Sequence, residues 1–386
     1  MKRILIVNNN MCIGGVQKAL LNLLKEVSTN YEITLLLFQK GGDFLMEVPG
    51  NVHVMTSTPV FQTWGIAQKE AKRSGLLLPR TFYAAVTRIV GRKWAVRLQV
   101  PFQKKLRGYD IAISFLHSGD EHQYYGGCNE FVLQCVDAAE KIGFIHCDYS
   151  KINAQSAYNA SIYQQFDKIA TCSEGCKETF LKVFPEFSEK TFVVHNCHAY
   201  SEIQKKAQDM NVDLPNDRLN ILTVARFGKE KGIPRAIRAI AALGSMRQKM
   251  HYYVIGDGIE YKEAKALIAE FGLNDTVSLL GEMENPYGYM KAADMLLIPS
   301  FSEAAPMVIG EAASLGTPIL TTRTSSAEEM VSFSGYGWVC ENSQSGICKG
   351  IKKILECPAM LHTCAAFLQK SIFSNENAIK EFESIV

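Results

Sequence analysis

Short apolar runs alternating with amphipathic stretches predict an α/β protein built on parallel sheets. A length of 386 residues with 47% apolar content suits two domains, each with its own core. Several runs, such as 4–7, 220–225 and 295–299, are continuously apolar rather than alternating. That pattern belongs to strands covered on both faces, as in a parallel sheet flanked by helices.

The elements follow in order. Ile4, Leu5, Ile6 and Val7 read as the first buried strand. A polar turn follows, and Gly14 and Gly15 open a helix through Leu20, Leu21, Leu23 and Leu24. Glycines at such a turn let the backbone approach a phosphate closely, although the spacing is not a full dinucleotide fingerprint and a plain tight turn is the alternative. A strand over 111–116 is followed by His117, and one over 141–145 ends at His146. His146 thus falls at the C-terminal edge of a strand, where open α/β sheets bind ligands. A lone histidine after a strand is more often a structural hydrogen-bonding group. Residues 169–173 and 193–196 read as the last strands of the domain, and the polar stretch 197–218 as a linker with an entry helix. The predicted domains are 1–198, 199–370 and a C-terminal helix over 371–386.

The second domain opens with a strand over 220–225 that ends at Arg226, a polar loop holding Lys231 and Gly232, and a helix over 234–243. Two fixed cations at a strand's C-terminal edge can clamp a diphosphate and stabilise it as a leaving group. Solvated loop charges are the alternative. A strand over 295–299 then leads through a turn bearing Glu303 into a helix that starts near Pro306 and stops at Gly316. A further strand over 318–321 follows. A helix N-terminus with its turn suits a phosphate. Glu311 lies eight residues beyond Glu303, about 2.2 helical turns on and near the same face. Carboxylates accept hydrogen bonds from vicinal hydroxyls, so the arrangement suits sugars at both ends of a diphosphate. Two glutamates at this spacing also occur in helices without a ligand.

Composition narrows the classes. The net charge of +2 gives no global case for nucleic acid. No apolar run approaches the ~20 residues of a membrane-spanning helix. The start resembles a signal peptide, but its apolar run is short and ends at Asn8, Asn9 and Asn10, so a first strand is the reading. Eleven scattered cysteines without paired metal spacings point to reduced thiols in a cytoplasmic protein. Charge is uneven, however. Between Lys69 and Arg107 lie eleven basic residues, Arg92 among them, and Glu70 is the sole acid. Aromatic and aliphatic residues interleave at helical spacing, which suits an anionic membrane surface. An amphipathic helix packed on its own domain is the alternative.

Taken together, these motifs resemble those of retaining, nucleotide-sugar-dependent glycosyltransferases of family four, including those of bacterial surface-polysaccharide assembly. The resemblance rests on Arg226, Lys231 and Gly232; on Gly256, Asp257 and Gly258; on the 271–281 and 289–294 connections; and on Glu303 with Glu311. It is dense over about 220–335. It implies the GT-B fold, two Rossmann-like domains with parallel sheets facing a central cleft. It implies that Gly14 and Gly15 face the donor diphosphate and that His146, in a His–x–Asp pattern with Asp148, lies beside the donor sugar. Arg226, Lys231 and the backbone around Ala304, Ala305, Pro306 and Met307 would assist the leaving diphosphate. Glu303 would hold donor-sugar hydroxyls, and Glu311 the ribose.

The implied reaction is a front-face substitution with retention of anomeric configuration and no cofactor or metal. The implied partners are a UDP- or GDP-sugar and a glycan or polyprenyl-diphosphate-linked acceptor. The implied location is the cytoplasmic face of the inner membrane. Ala304 and Ala305 depart from the usual family residues, as do Gln17 and His117. The rival functions are a non-catalytic accessory subunit of this fold, a nucleotide-sugar epimerase and a phosphorylase.

Overall fold

The computed structural model describes residues 1–66 and 68–386, with the side chain of Lys69 also outside the description. The chain packs as two compact units, residues 1–197 with 375–386, and residues 198–374. Among the described residues, the first unit holds a seven-stranded parallel sheet. Its strands are β1 (Arg3–Asn8), β2 (Glu32–Leu37), β3 (His53–Thr56), β4 (Leu106–Ser114), β5 (Val136–Ile145), β6 (Lys168–Thr171) and β7 (Thr191–Val193). Their order is β3-β2-β1-β4-β5-β6-β7. The second unit holds β8 (Leu219–Val224), β9 (Met250–Ile255), β10 (Val277–Gly281), β11 (Met295–Ile298), β12 (Ile319–Thr322) and β13 (Gly337–Cys340). These run β10-β9-β8-β11-β12-β13.

Both sheets therefore start from a central strand, wind outward to one edge, and return to wind toward the other. The strand order reverses between β1 and β4 and again between β8 and β11. At such a switch point the helices that follow the two strands pass to opposite faces of the sheet, which leaves a crevice at the C-terminal strand ends. The strands at the switch points are the most buried. Ile4, Leu5, Ile6 and Val7 are fully buried, as are Met295, Leu296 and Leu297. Helices cover both faces, which is why these segments read as continuous apolar runs. In the second unit one face packs Ile233, Ala236, Ile237 and Ile240 over the sheet. The other packs Ile309, Ala312 and Ala313.

The strands β4 and β5 are longer than their apolar cores. Residues 106–110 and 137–141 are mostly exposed or half-buried and carry charges. The last helix spans Glu376–Ile385, shorter than the sequence reading, and residues 371–374 belong with the second unit. Phe382 and Ile385 bury its apolar face in the first unit. Glu381 there accepts from the backbone N–H of His195 at 2.9 Å. The eleven cysteines form no disulfide among the described residues.

Candidate active site

In the second unit, β8 and β11 pair directly, with Ile221 opposite Met295 and Leu222 opposite Leu296. The loops that follow these two strands therefore leave the sheet side by side. The first carries Arg226 and Lys231; the second carries Glu303. The Lys231 Nζ lies 2.7 Å from Glu303 Oε1. The Ser300 hydroxyl donates to the same oxygen at 2.6 Å. The Ser325 hydroxyl, beyond β12, donates to the Glu303 carbonyl at 2.7 Å. Glu303 is thus held at side chain and backbone by three elements of the sheet edge. Arg226 is different. Its guanidinium pairs with Glu230 at 3.0 Å, and its side chain is 76% exposed.

The loop that holds Lys231 is shaped by Gly232. This residue is left-handed, with φ +65° and ψ 25°. A Cβ there would meet the Pro299 carbonyl oxygen well inside the 3.0 Å that real Cβ atoms keep. Only glycine allows the Lys231 loop to lie this close to the end of β11. Arg235, one helical turn on, ties the same two loops together. It donates to the Pro299 carbonyl at 2.5 Å and to Asn342 at 2.8 Å, and stacks 3.7 Å from the Phe301 ring centroid. Asn342 in turn donates to the Phe301 carbonyl at 3.0 Å. Gly256 and Gly258 close the far side, each packed against backbone of residues 225–227. The Phe227 N–H donates to the Asp257 carbonyl at 2.9 Å.

Pro306 caps the helix Met307–Ser314, and Ala304 and Met307 are buried at its start. Glu311 is the fifth residue of this helix and is only 2% exposed. The imidazole of His198 packs against Gly310 beside it, leaving no room for a Cβ. The second unit thus brings Lys231 and Glu303 into contact and sets the helix of Glu311 directly after them.

In the first unit, β1, β4 and β5 are neighbours, so the loops bearing Gly14 and Gly15, His117 and His146 leave one sheet edge in a row. Gly14 is extended and precedes the helix Gly15–Val27, whose Lys18 N–H donates to the Gly14 carbonyl at 2.9 Å. The His146 ring packs against Phe115 and Phe144, with centroids 4.6 and 5.7 Å away, and those two rings stack on each other at 4.8 Å. Its Nε2 is buried without a hydrogen-bond partner among the described residues, as is Nδ1 of His117. Burial, then the nearby His117, pushes the His146 imidazole down to about 3. Burial, then the Arg92 charge, pushes His117 down to about 4. Both are therefore neutral imidazoles at ordinary pH, able to donate from one nitrogen and accept at the other. Asp148 accepts from the Ser150 N–H at 3.1 Å and from its hydroxyl at 2.6 Å, bracing the turn after His146. Ser173 caps the helix Glu174–Val183 by accepting from the Cys176 N–H.

One expectation is corrected. Arg92 is no surface cation. It is fully buried, with Nε 2.5 Å from Glu130 and Nη2 2.6 Å from Asn159. Glu130 and Asn159 lie 38 and 67 residues away, so no local pattern could reveal the pairing. Sequence reasoning also missed Ser300, Ser325, Arg235 and His198. One signal for Arg235 was present: a cation in the first turn of a helix opposes the helix dipole and needs a partner elsewhere.

Residues 204–370 match the family model described as Glycosyl transferases group 1. That match lies within the second unit and spans less than half of the chain. One relative of the chain is an N-acetylgalactosamine-N,N'-diacetylbacillosaminyl-diphospho-undecaprenol 4-alpha-N-acetylgalactosaminyltransferase of Campylobacter jejuni. It is 28% identical over 214 residues, covering 54% of this chain and 57% of the relative. Another is the amylovoran biosynthesis glycosyltransferase AmsK of Erwinia amylovora, 31% identical over 33% of each chain. The chain therefore matches between a third and somewhat over half of these two relatives' lengths.

Among solved structures, Anabaena Alr3699/HepE in complex with UDP superposes with a TM-score of 0.65 at 18% identity. That match covers 96% of this chain and 94% of the other. WaaG, a glycosyltransferase involved in lipopolysaccharide biosynthesis, superposes with a TM-score of 0.61 at 16% identity over 99% of both. At these identities the likeness establishes the fold alone, the GT-B fold of two parallel-sheet α/β domains.

Proposed function

We propose that the protein is a retaining glycosyltransferase. It moves a hexose-type sugar from a nucleoside-diphosphate sugar to a glycan or polyprenyl-diphosphate-linked acceptor in cell-surface polysaccharide synthesis. The observation that carries this reading is the contact between Lys231 and Glu303 at the switch point of the second sheet. A cation and a carboxylate set side by side there suit the diphosphate and the hydroxyls of one donor molecule. The relatives named for surface-polysaccharide and undecaprenol-linked substrates favour the same acceptor class, and the UDP complex favours UDP as the nucleotide carrier. Neither an accessory subunit nor an epimerase is favoured by any of them.

In this reading Arg226, Lys231 and the backbone from Ala304 to Met307 stabilise the leaving diphosphate. Glu303 holds the donor-sugar hydroxyls, Glu311 the ribose hydroxyls, and Gly14 and Gly15 the diphosphate. Neutral His146 accepts from or donates to a sugar hydroxyl. The bond from the anomeric carbon to the diphosphate oxygen breaks, and the acceptor oxygen enters on the same face. The acceptor proton passes to the departing phosphate oxygen. The two cations supply the charge that a divalent metal supplies elsewhere, so the proposed reaction needs none. The proposed location is the cytoplasmic face of a membrane, reached through the basic segment 69–107. No helix among the described residues is long and apolar enough to span a bilayer.

The test is turnover of a panel of UDP- and GDP-hexoses with polyprenyl-diphosphate glycans, with and without EDTA. Proton NMR of the product follows. The reading expects one donor to be consumed, an anomeric configuration in the product that matches the donor (an equatorial anomeric proton for an α-configured donor), and no loss with EDTA. An inverted anomer or an EDTA-sensitive rate would overturn the mechanism.

A further inference from the structure

The helix Leu77–Val90 presents an apolar face outward. Leu78, Phe82, Ala85 and Ile89 fall at intervals of four, three and four residues, which places them on one stripe. All four are exposed. The buried positions, Tyr83 and Thr87, are on the opposite side. An ordinary surface helix has the reverse arrangement, with polar residues outward. The next helix, Arg92–Gln99, continues the pattern with Trp94 and Leu98, one turn apart, and Phe102 follows. These six large apolar side chains, Leu78, Phe82, Ile89, Trp94, Leu98 and Phe102, are 46–83% exposed. Monomeric proteins rarely leave so continuous an apolar surface without a partner.

Charge identifies the partner. Arg88, Lys93, Arg97, Lys104 and Lys105 are exposed among and beside these side chains. The Arg97 guanidinium lies 5.4 Å from the Trp94 ring centroid. Apolar side chains ringed by cations, with a tryptophan at the boundary, match the chemistry of an anionic bilayer: acyl chains below, phosphates around.

We propose that this face inserts into the headgroup and acyl boundary of an anionic membrane, rather than resting on it by charge alone. The proposal rests on the glycosyltransferase reading only for its purpose. The same helices are bolted to the loop after β4. The Arg92 N–H donates to the Glu121 carbonyl at 2.8 Å, and its guanidinium reaches the carbonyls of Gly119 and Asp120 at 3.4 and 3.3 Å. Tyr124 stacks on Trp64 at 4.0 Å, and Trp64 donates to Gln99 at 2.6 Å. Insertion therefore fixes the His117 loop relative to the lipid surface, where a lipid-linked acceptor is presented.

The test uses the full chain with vesicles of phosphatidylglycerol and phosphatidylethanolamine whose acyl chains are brominated. Trp94 is exposed and Trp64 buried, and the half-buried Trp338 of the second unit is replaced (Trp338→Phe) so that quenching reports Trp94. The expected result is quenching that persists in 0.5 M NaCl. Phe82→Ser/Ile89→Ser/Leu98→Ser weakens partitioning by more than about 100-fold. The single Phe82→Ser gives a smaller loss in the same direction. Three results would overturn the proposal. They are no quenching at any salt, binding released by 0.5 M NaCl and unchanged in the serine variants, and a dimer in light scattering that the serine variants dissociate. UDP binding measured on the same samples separates these outcomes from failure of the glycosyltransferase reading.

Discussion

Replacing Gly232 with alanine separates the geometry of the Lys231 loop from the stability of the fold. Two effects add at this position. A left-handed non-glycine residue costs about 1–2 kcal/mol. The new Cβ also collides with the Pro299 carbonyl, which is main chain at the end of a buried strand and cannot swing aside. The Lys231 loop must move instead, by roughly 0.5–1 Å, and misplacement of that order costs up to ~100-fold in rate. Gly244 supplies the control. It is equally left-handed, with φ +60°, but has open space where its Cβ would be. The account expects Gly232→Ala and Gly244→Ala to share a stability loss of about 1–2 kcal/mol in urea unfolding. Gly232→Ala alone should then lose 10-fold or more in kcat/KM for the sugar nucleotide. Equal kinetic effects in the two variants, or none in Gly232→Ala, would refute the placement of Lys231 at the reacting diphosphate.

Two further predictions concern charge. Lys231 and Glu303 are 25% and 11% exposed, between the surface and buried limits. A double-mutant cycle of Lys231→Met and Glu303→Gln should therefore give a stability coupling of about 1–2 kcal/mol, whereas additive losses would deny the pair. The histidines give a pH dependence whose sign is fixed. Their native values of about 4 for His117 and about 3 for His146 lie below the ordinary 6.5 of an unfolded chain. The unfolded state thus binds more protons, and stability falls as pH drops from 6.5 toward 4. At pH 5 each histidine costs about 2 kcal/mol relative to pH 7.5. Replacing each by asparagine should remove that part of the acid loss, measured by urea unfolding at both pH values; an unchanged loss would contradict it.

The parts of this molecule that were legible in the sequence share one physical property. Strands buried on both faces must be continuously apolar, so β1, β8 and β11 stand out, and the polar loops after them mark the ligand edge. The motifs that carry the resemblance fall on the loops after β8 and β11 and on the helix that follows β11, so Arg226, Lys231, Glu303 and Glu311 could be named as candidates from order and spacing. What was not legible depends on contacts between distant segments. The outer ends of β4 and β5 are polar because they lie at the rim, and the apolar-run criterion starts both strands late. Ser300 and Ser325 are unremarkable until the fold sets both against Glu303. Arg92 looked like one more cation in a basic stretch, and only packing reveals it as a buried ion pair. In the same stretch the helical spacing of the apolar residues was legible, but which face they take depends on packing: Leu78, Phe82, Ala85 and Ile89 face outward and Tyr83 and Thr87 inward.

The most direct test of the central claim is a thermal-shift screen of UDP, GDP, ADP and CMP on the wild type, Arg226→Ala and Glu311→Gln. A ligand at 100 times its Kd stabilises the native state by about 2.7 kcal/mol, which is easily read as a rise in Tm. The account predicts a shift with one nucleoside diphosphate that is lost in both variants. No shift with any nucleotide, or a shift that both variants retain, would contradict a sugar-nucleotide site at the switch point of the second sheet.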